Sequence, residues 1–203
     1  MVKALVSLLL VAVVSAADWS VVLEKVESQV VRLEMQMADG SSGSCSGVVI
    51  NAEAGFILTA AHCVDAQNLD ITVAKRHAVT AKTNRILDLA VVRTSPHVSL
   101  RTLKLAKDDP KMGHEIAVVG FPFGVEKLHT QFGHIARQPT ETELWVNADI
   151  IPGDSGGALI NQAGELVGIN VAILYNGPAH MGLAVPLEVI REFILEYLPK
   201  EVQ

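Results

Sequence analysis

Clustered positive charge is missing from this sequence. Its 203 residues carry a formal net charge of -6, and the 16 Lys and Arg nowhere gather into a patch. An electrostatic grip on nucleic acid needs such a patch, so none is expected. Beyond residue 17, no apolar stretch approaches the roughly 20 residues that span a bilayer. There is no glycine-rich phosphate cradle of the Walker type, which argues against nucleotide use. Histidines 77, 97, 114, 129, 134 and 180 show no metal-ligand spacing such as His-Glu-x-x-His, so neither metal nor cofactor is expected. Internal repeats and low-complexity tracts are also missing. Cysteine is scarce, with only Cys45 and Cys63.

What remains is an ordinary globular composition, 50% hydrophobic and 19% charged. The start is different: Lys3 precedes an apolar run from Ala4 to Val14, then the small residues Ser15, Ala16 and Ala17. This predicts a cleavable secretory signal over residues 1–17, cut near Ala16 or Ala17, with a membrane anchor as the alternative. Export places the chain in a periplasm or outside the cell, without a membrane partner once the signal is removed. An exported context and an even cysteine count favour a Cys45–Cys63 disulfide over two buried free thiols.

From Val30 onward, short runs rich in Val, Ile, Leu and Thr alternate with Gly, Pro, Asn and Asp: VVRLEM, SGVVI, FILTA, LDITVA, LAVVR, EIAVVG, LWVNADI, GALI, LVGINVAIL and GLAVP. Many short strands with turn signals predict an all-β sandwich or barrel, and the lack of alternating helices excludes a parallel α/β sheet. Two helices are expected. Residues 18–27 have Asp18 as a cap and Val22, Leu23 and Val26 on one face, while Leu187 to Leu198 carries Val189, Ile190, Phe193, Ile194 and Tyr197 at helical spacing before Pro199. The polar segment from Pro96 to Gly113 is the expected crossover between two halves, residues 18–105 and 106–203.

Three segments carry chemistry. In Pro152-Gly153-Asp154-Ser155-Gly156-Gly157, Ser155 sits among glycines that let the backbone turn tightly and aim N–H groups at a substrate carbonyl. The expected oxyanion donors are the backbone amides of Gly153 and Ser155. Leu58-Thr59-Ala60-Ala61-His62-Cys63 delivers His62 from the end of an apolar strand, and imidazole suits a general base near neutral pH. Asp88, inside the apolar run Leu87-Asp88-Leu89-Ala90, needs a partner if buried, and the second ring nitrogen of His62 would provide one.

Together, LTAAHC and GDSGG in the order His, Asp, Ser resemble the trypsin-like (chymotrypsin-fold) serine proteases. GSCSGVVI, DLAVVR, VVGFPFG, NADIIPGDSGGALIN, GELVGINVAI and GLAVP resemble the HtrA/Deg-type branch over about residues 20 to 195. The resemblance implies two six-stranded antiparallel barrels followed by a C-terminal helix. His62 and Asp88 then come from the first barrel and Ser155 from the second. It implies an exported endopeptidase acting on peptide or protein substrates through an acyl-enzyme. No HtrA-type PDZ domain is expected after the helix, and the oligomeric state is open. HtrA-type chains carry Asn before the nucleophile and lack the disulfide, whereas here Asp154 stands there, without the Ile-Val-Gly-Gly-like start that pairs with it in the digestive branch. A local backbone group or a base is expected to hold Asp154.

For specificity, Asp149 occupies the position, six residues before the nucleophile, whose acid gives trypsin its preference for Lys and Arg. The HtrA-type pattern implies a small aliphatic pocket instead. Ile169, Asn170 and Val171 match the strand that would pair with an extended substrate, and Met181, Gly182 and Leu183 match the opposite wall. Gly120-Phe121-Pro122-Phe123-Gly124 matches a loop near the active site but, as a glycine-aromatic turn, requires no function. The rival functions are a peptide-binding or chaperone-like protein on the same fold, and an esterase. The esterase is disfavoured by the lack of a G-x-S-x-G elbow.

Overall fold

The computed structural model describes residues 18–65, 70–176 and 179–200. The secretory signal expected over residues 1–17 lies outside them. Helix α1 (Trp19–Val26) starts where Asp18 accepts hydrogen bonds from the Ser20 amide at 2.9 Å and hydroxyl at 2.7 Å. Val22 and Val26 are buried, as the spacing predicts.

The first half is a closed antiparallel barrel of β1 (Val30–Gln36), β2 (Ser42–Asn51), β3 (Phe56–Thr59), β4 (Asp70–Val73), β5 (Arg76–Asn84) and β6 (Leu89–Thr94), in the order β1-β2-β3-β6-β5-β4. The short helix α2 (Ala61–Val64) follows β3. The second half is a six-stranded antiparallel sheet of β7 (Glu115–Gly120), β8 (His129–His134), β9 (Leu144–Val146), β10 (Ala158–Ile160), β11 (Leu166–Asn176) and β12 (Ala179–Pro186), in the order β8-β7-β10-β11-β12-β9. Its edges meet less completely than two regular barrels would require. A single bridge from Ile135 to Val146 joins them, with the Ala136 N–H donating to Trp145 O at 2.8 Å and the Asn147 N–H to His134 O at 3.1 Å.

Alternation along the strands explains why so many runs are apolar without a break. Val49, Ile57 and Val92 point into the first barrel, while their neighbours Val48, Leu58 and Val91 point into a seam shared with Ala117, Val119, Ala158 and Ile169 of the second half. Strands buried on both faces have no polar face to show. Ile116, Val118, Leu144, Val146, Leu159 and Ala184 fill the second interior. Each fully buried Leu, Ile or Val contributes about 1.5–3 kcal/mol, so the seam holds the halves in fixed relation.

The terminal helices cross over. Trp19 of α1 packs on Phe132 of β8, with ring centroids 5.2 Å apart. Helix α3 (Leu187–Ile194) buries Ile190, Phe193 and Ile194, then tightens into a 3-10 turn, Leu195–Tyr197, so the expected 187–198 helix changes type in its last turn. It is fastened to the first barrel: Lys82 Nζ donates to Phe193 O at 3.0 Å, Asn51 Nδ2 to Tyr197 O at 3.1 Å, and Tyr197 packs edge-on against Phe56.

Candidate active site

His62 lies in α2, whose first residues lack a side-chain cap of their own. Asp88, on the turn before β6, supplies one from 26 residues away. Its Oδ1 accepts the His62 N–H at 2.9 Å, its Oδ2 lies 2.7 Å from His62 Nδ1, and its carbonyl accepts the Ala61 N–H at 3.1 Å. One carboxylate thus fixes both the backbone and the ring of His62 and selects the tautomer with its proton on Nδ1. Asp88 has φ 52°, a left-handed conformation that Asp tolerates better than most residues. Its side chain is 32% exposed, so the His62 contact is made at the surface rather than in an apolar interior. Its hydrogen bond raises the His62 pKa above the ordinary 6.5, against the opposing effect of burial.

Cys45 and Cys63 form the expected disulfide, with Cα atoms 6.3 Å apart. A His62 ring nitrogen and both sulfurs lie within 4.8 Å of one another, and Cys63 Sγ is 3.9 Å from the Ser155 carbonyl oxygen. With both thiols oxidised, these three residues do not constitute a metal site. The bridge instead anchors the histidine beside the segment that carries Ser155.

That segment is held by β2 and by the loop after β7. Ser46 is fully buried; its N–H donates to Ser155 O at 2.9 Å and its hydroxyl to Gly153 O at 2.7 Å, while the Phe121 N–H donates to that hydroxyl at 2.8 Å. The Phe123 N–H donates to Pro152 O at 2.7 Å. Because the peptide is planar, holding the Pro152 carbonyl turns the Gly153 N–H the opposite way. Neither the Gly153 nor the Ser155 N–H has a protein acceptor among the described residues. Glycine is required at two points. Gly153 has φ +101° and a Cβ there would stand 2.6 Å from Phe123 N, while Gly156 has φ +80° and a Cβ would stand 2.3 Å from Ser46 O.

The Ser155 hydroxyl donates to Val171 O at 3.3 Å, and no hydrogen bond joins it to the imidazole among the described residues. Val171 is the bulged residue of β11, between Asn170 and Ala172, and borders both the seam and the first barrel interior. Ile169 and Asn170 are fully buried and belong to the sheet: Ile169 pairs with Ala158 and Val185, while the Asn170 backbone exchanges hydrogen bonds with Gly156 and Gly157. Of the three residues expected to line a substrate strand, only Val171 stands out of the ladder.

Asp149 is half exposed and paired through Oδ1 with His180 Nε2. Gly182 is buried in β12, where a Cβ would lie 2.7 Å from Ala148 O and 2.9 Å from Ile150 Cδ1. Its neighbours Met181 and Leu183 are partly buried and alternate with it along the strand. Asp154 has no exposure to solvent. Backbone holds one of its oxygens, Oδ2 accepting the Ile151 N–H at 3.2 Å, but Oδ1 has no partner. Burial pushes its pKa up to about 6, against the lowering effects of that hydrogen bond and of the His129 charge.

Sequence reasoning passed over Ser46, Phe123 and His180. Ser46 and Phe123 lie within GSCSGVVI and GFPFG, runs already noted for resemblance, and the Phe-Gly pair was the signal for the left-handed turn, Phe123 having φ 52°.

Comparison with known proteins bears directly on this arrangement. Residues 45–169 match the trypsin-like peptidase domain. The chain belongs to that family. A probable periplasmic serine endoprotease of DegP-like type from Pseudomonas fluorescens is 37% identical over 157 residues, 71% of this chain and 33% of that protein. The periplasmic pH-dependent serine endoprotease DegQ of Escherichia coli is 32% identical over 170 residues, 77% of this chain and 37% of that protein. This trypsin-like chain therefore spans about a third of the length of these curated relatives. The crystal structure of the serine endoprotease from Yersinia pestis superimposes with a TM-score of 0.75 at 24% identity, covering 89% of this chain and 66% of that one, which shows the shared fold.

Proposed function

We propose that this trypsin-like peptidase is an exported serine endopeptidase, consistent with its periplasmic relatives, with Ser155 as nucleophile, His62 as general base and Asp88 as the residue that positions His62. The observation carrying this reading is the doubly anchored His62, its Nδ1 2.7 Å from Asp88 Oδ2, beside the Ser155 segment. With the Nδ1 proton directed at Asp88, Nε2 is the nitrogen left to accept a proton. Rotation about its single χ1 would free the Ser155 hydroxyl from the Val171 carbonyl, and hydrogen bonds of this kind commonly tighten only when substrate is present.

The reaction follows from these positions. His62 takes the hydroxyl proton as Oγ attacks the peptide carbonyl. The Gly153 and Ser155 N–H groups receive the developing oxyanion, and the protonated imidazole returns the proton to the departing amine. Water activated by the same imidazole then releases the acyl group. No step requires a metal or cofactor.

A fluorophosphonate probe tests the assignment. The wild type is expected to be labelled on Ser155 and to cleave peptides. Ser155→Ala should not be labelled, and its kcat should fall by about 10^6-fold while the fold is kept. Labelling elsewhere, or undiminished turnover by Ser155→Ala, would overturn the proposal.

A further inference from the structure

Asp149, in the segment after β9, pairs with His180 near the start of β12, and the strand register relates this pair to the neighbourhood of Ser155. The Ser155 hydroxyl touches the carbonyl of the bulged Val171. Two residues further along β11, Ile173 pairs with Gly182 of β12, which pairs in turn with Val146 of β9. Alternation puts His180 on the same face of β12 as Gly182. That face turns toward the segment after β9, because Ala148 O and Ile150 Cδ1 crowd the space a Gly182 side chain would need. A substrate slot running beside Gly182 would be narrowed by Ile150, and the carboxylate of Asp149 is already engaged by His180.

We propose that His180 is a specificity-determining residue: by holding Asp149 it withholds that negative charge from a Lys or Arg side chain entering beside Ser155, leaving the site to short aliphatic residues. The inference rests on the peptidase reading above. A free carboxylate would attract an ammonium or guanidinium group electrostatically. One whose oxygen already accepts from an imidazole can take the cation only by giving up that contact. Both groups are nearly half exposed, so the attraction released by removing His180 is moderate and sensitive to salt.

Benzamidine, a planar amidinium, probes the slot without turnover. His180→Ala is expected to bind it about tenfold more tightly than wild type, and to raise kcat/KM for Arg relative to Val substrates by about the same factor. Both gains should shrink with added salt and vanish in His180→Ala/Asp149→Asn. His180→Gln, which can still donate to the carboxylate, should behave like wild type and controls for a general loss of folding. Unchanged benzamidine affinity and an unchanged Arg to Val ratio in His180→Ala would overturn the inference. Fluorophosphonate labelling separates the two readings. Intact labelling of Ser155 without the gain removes this inference alone, whereas the benzamidine gain without labelling in wild type removes the catalytic assignment and leaves the slot as proposed.

Discussion

At Asp154 a carboxylate is kept from water with one oxygen unpartnered, and its ionised form is the costly one. Its pKa lies at about 6 in the folded chain, above the ordinary 3.8 of the unfolded one. Between those two values the folded state holds a proton that the unfolded chain has released. This group's contribution to stability therefore falls as pH rises through that window and stays lowered above it. Asp154→Asn keeps the shape without a charge to bury. Calorimetry should show it raising Tm at pH 7.5 by more than at pH 4.5, and an equal shift at both would count against burial as the cause. The His62 pKa is raised as well, and there the consequence is read in activity. Its raised pKa means that the free base is present only above a value higher than 6.5, so kcat/KM should climb with pH through that point. Asp88→Asn removes the hydrogen bond that raises it. We expect kcat to fall by about 10^4-fold and the rising limb to move to lower pH. At this scale the sequence singled out His62, Asp88 and Ser155 by residue type, and the structure joins His62 to Asp88 by a hydrogen bond and sets the Ser155 segment beside them. The sequence could not show that Asp149 is paired or that Ile169 is enclosed, because side-chain direction depends on register with distant strands.

The elements legible in the sequence were the ones buried on two faces, such as SGVVI in β2 and LAVV in β6, whose apolar runs announce themselves. Strands β5 and β8 were not foreseen. RHAVTAKTN and HTQFGH are largely polar, with Ala78 the one buried residue of β5 and none in β8, so neither composition nor periodicity marks them; pairing with β6 and with β7 makes them strands. The loop Phe121 to Gly124 gave a turn signal but no hint that its Phe123 N–H holds the Pro152 carbonyl. Gly153→Ala tests that coupling. The added Cβ would meet Phe123 N and Phe121 O, so the peptide carrying the oxyanion donor must rotate or the loop must retreat. We expect kcat to fall by about 10^2- to 10^3-fold, as for the loss of one such donor, with an unaltered far-ultraviolet circular dichroism spectrum.

For the whole molecule, the seam of Val48, Leu58, Val91, Ala117, Val119 and Ala158 makes the two halves one cooperative unit. The Cys45–Cys63 bridge staples β2 to α2 within the first of them. Closing a loop of this size adds about 3 kcal/mol by restricting the unfolded chain. Replacing both cysteines with Ser should lower Tm by about 6–12 °C, at the few degrees per kcal/mol usual for a domain of this length. A loss confined to activity, with Tm unchanged, would mean that the bridge only seats His62. The all-β class was readable because turn signals recur at strand spacing, whereas the division into two barrels came from the resemblance. The incomplete closure of the second sheet was not, since it depends on a single bridge at Ile135.

The crossing of the terminal helices has a consequence for how the molecule comes into being. Asn51 waits for Tyr197 and Lys82 for Phe193, partners 146 and 111 residues further on. A chain emerging amino end first therefore keeps one wall of its first barrel unroofed until Phe193 and Tyr197 have arrived. Ser155 and His62 can be synthesised long before the body that aligns them is finished.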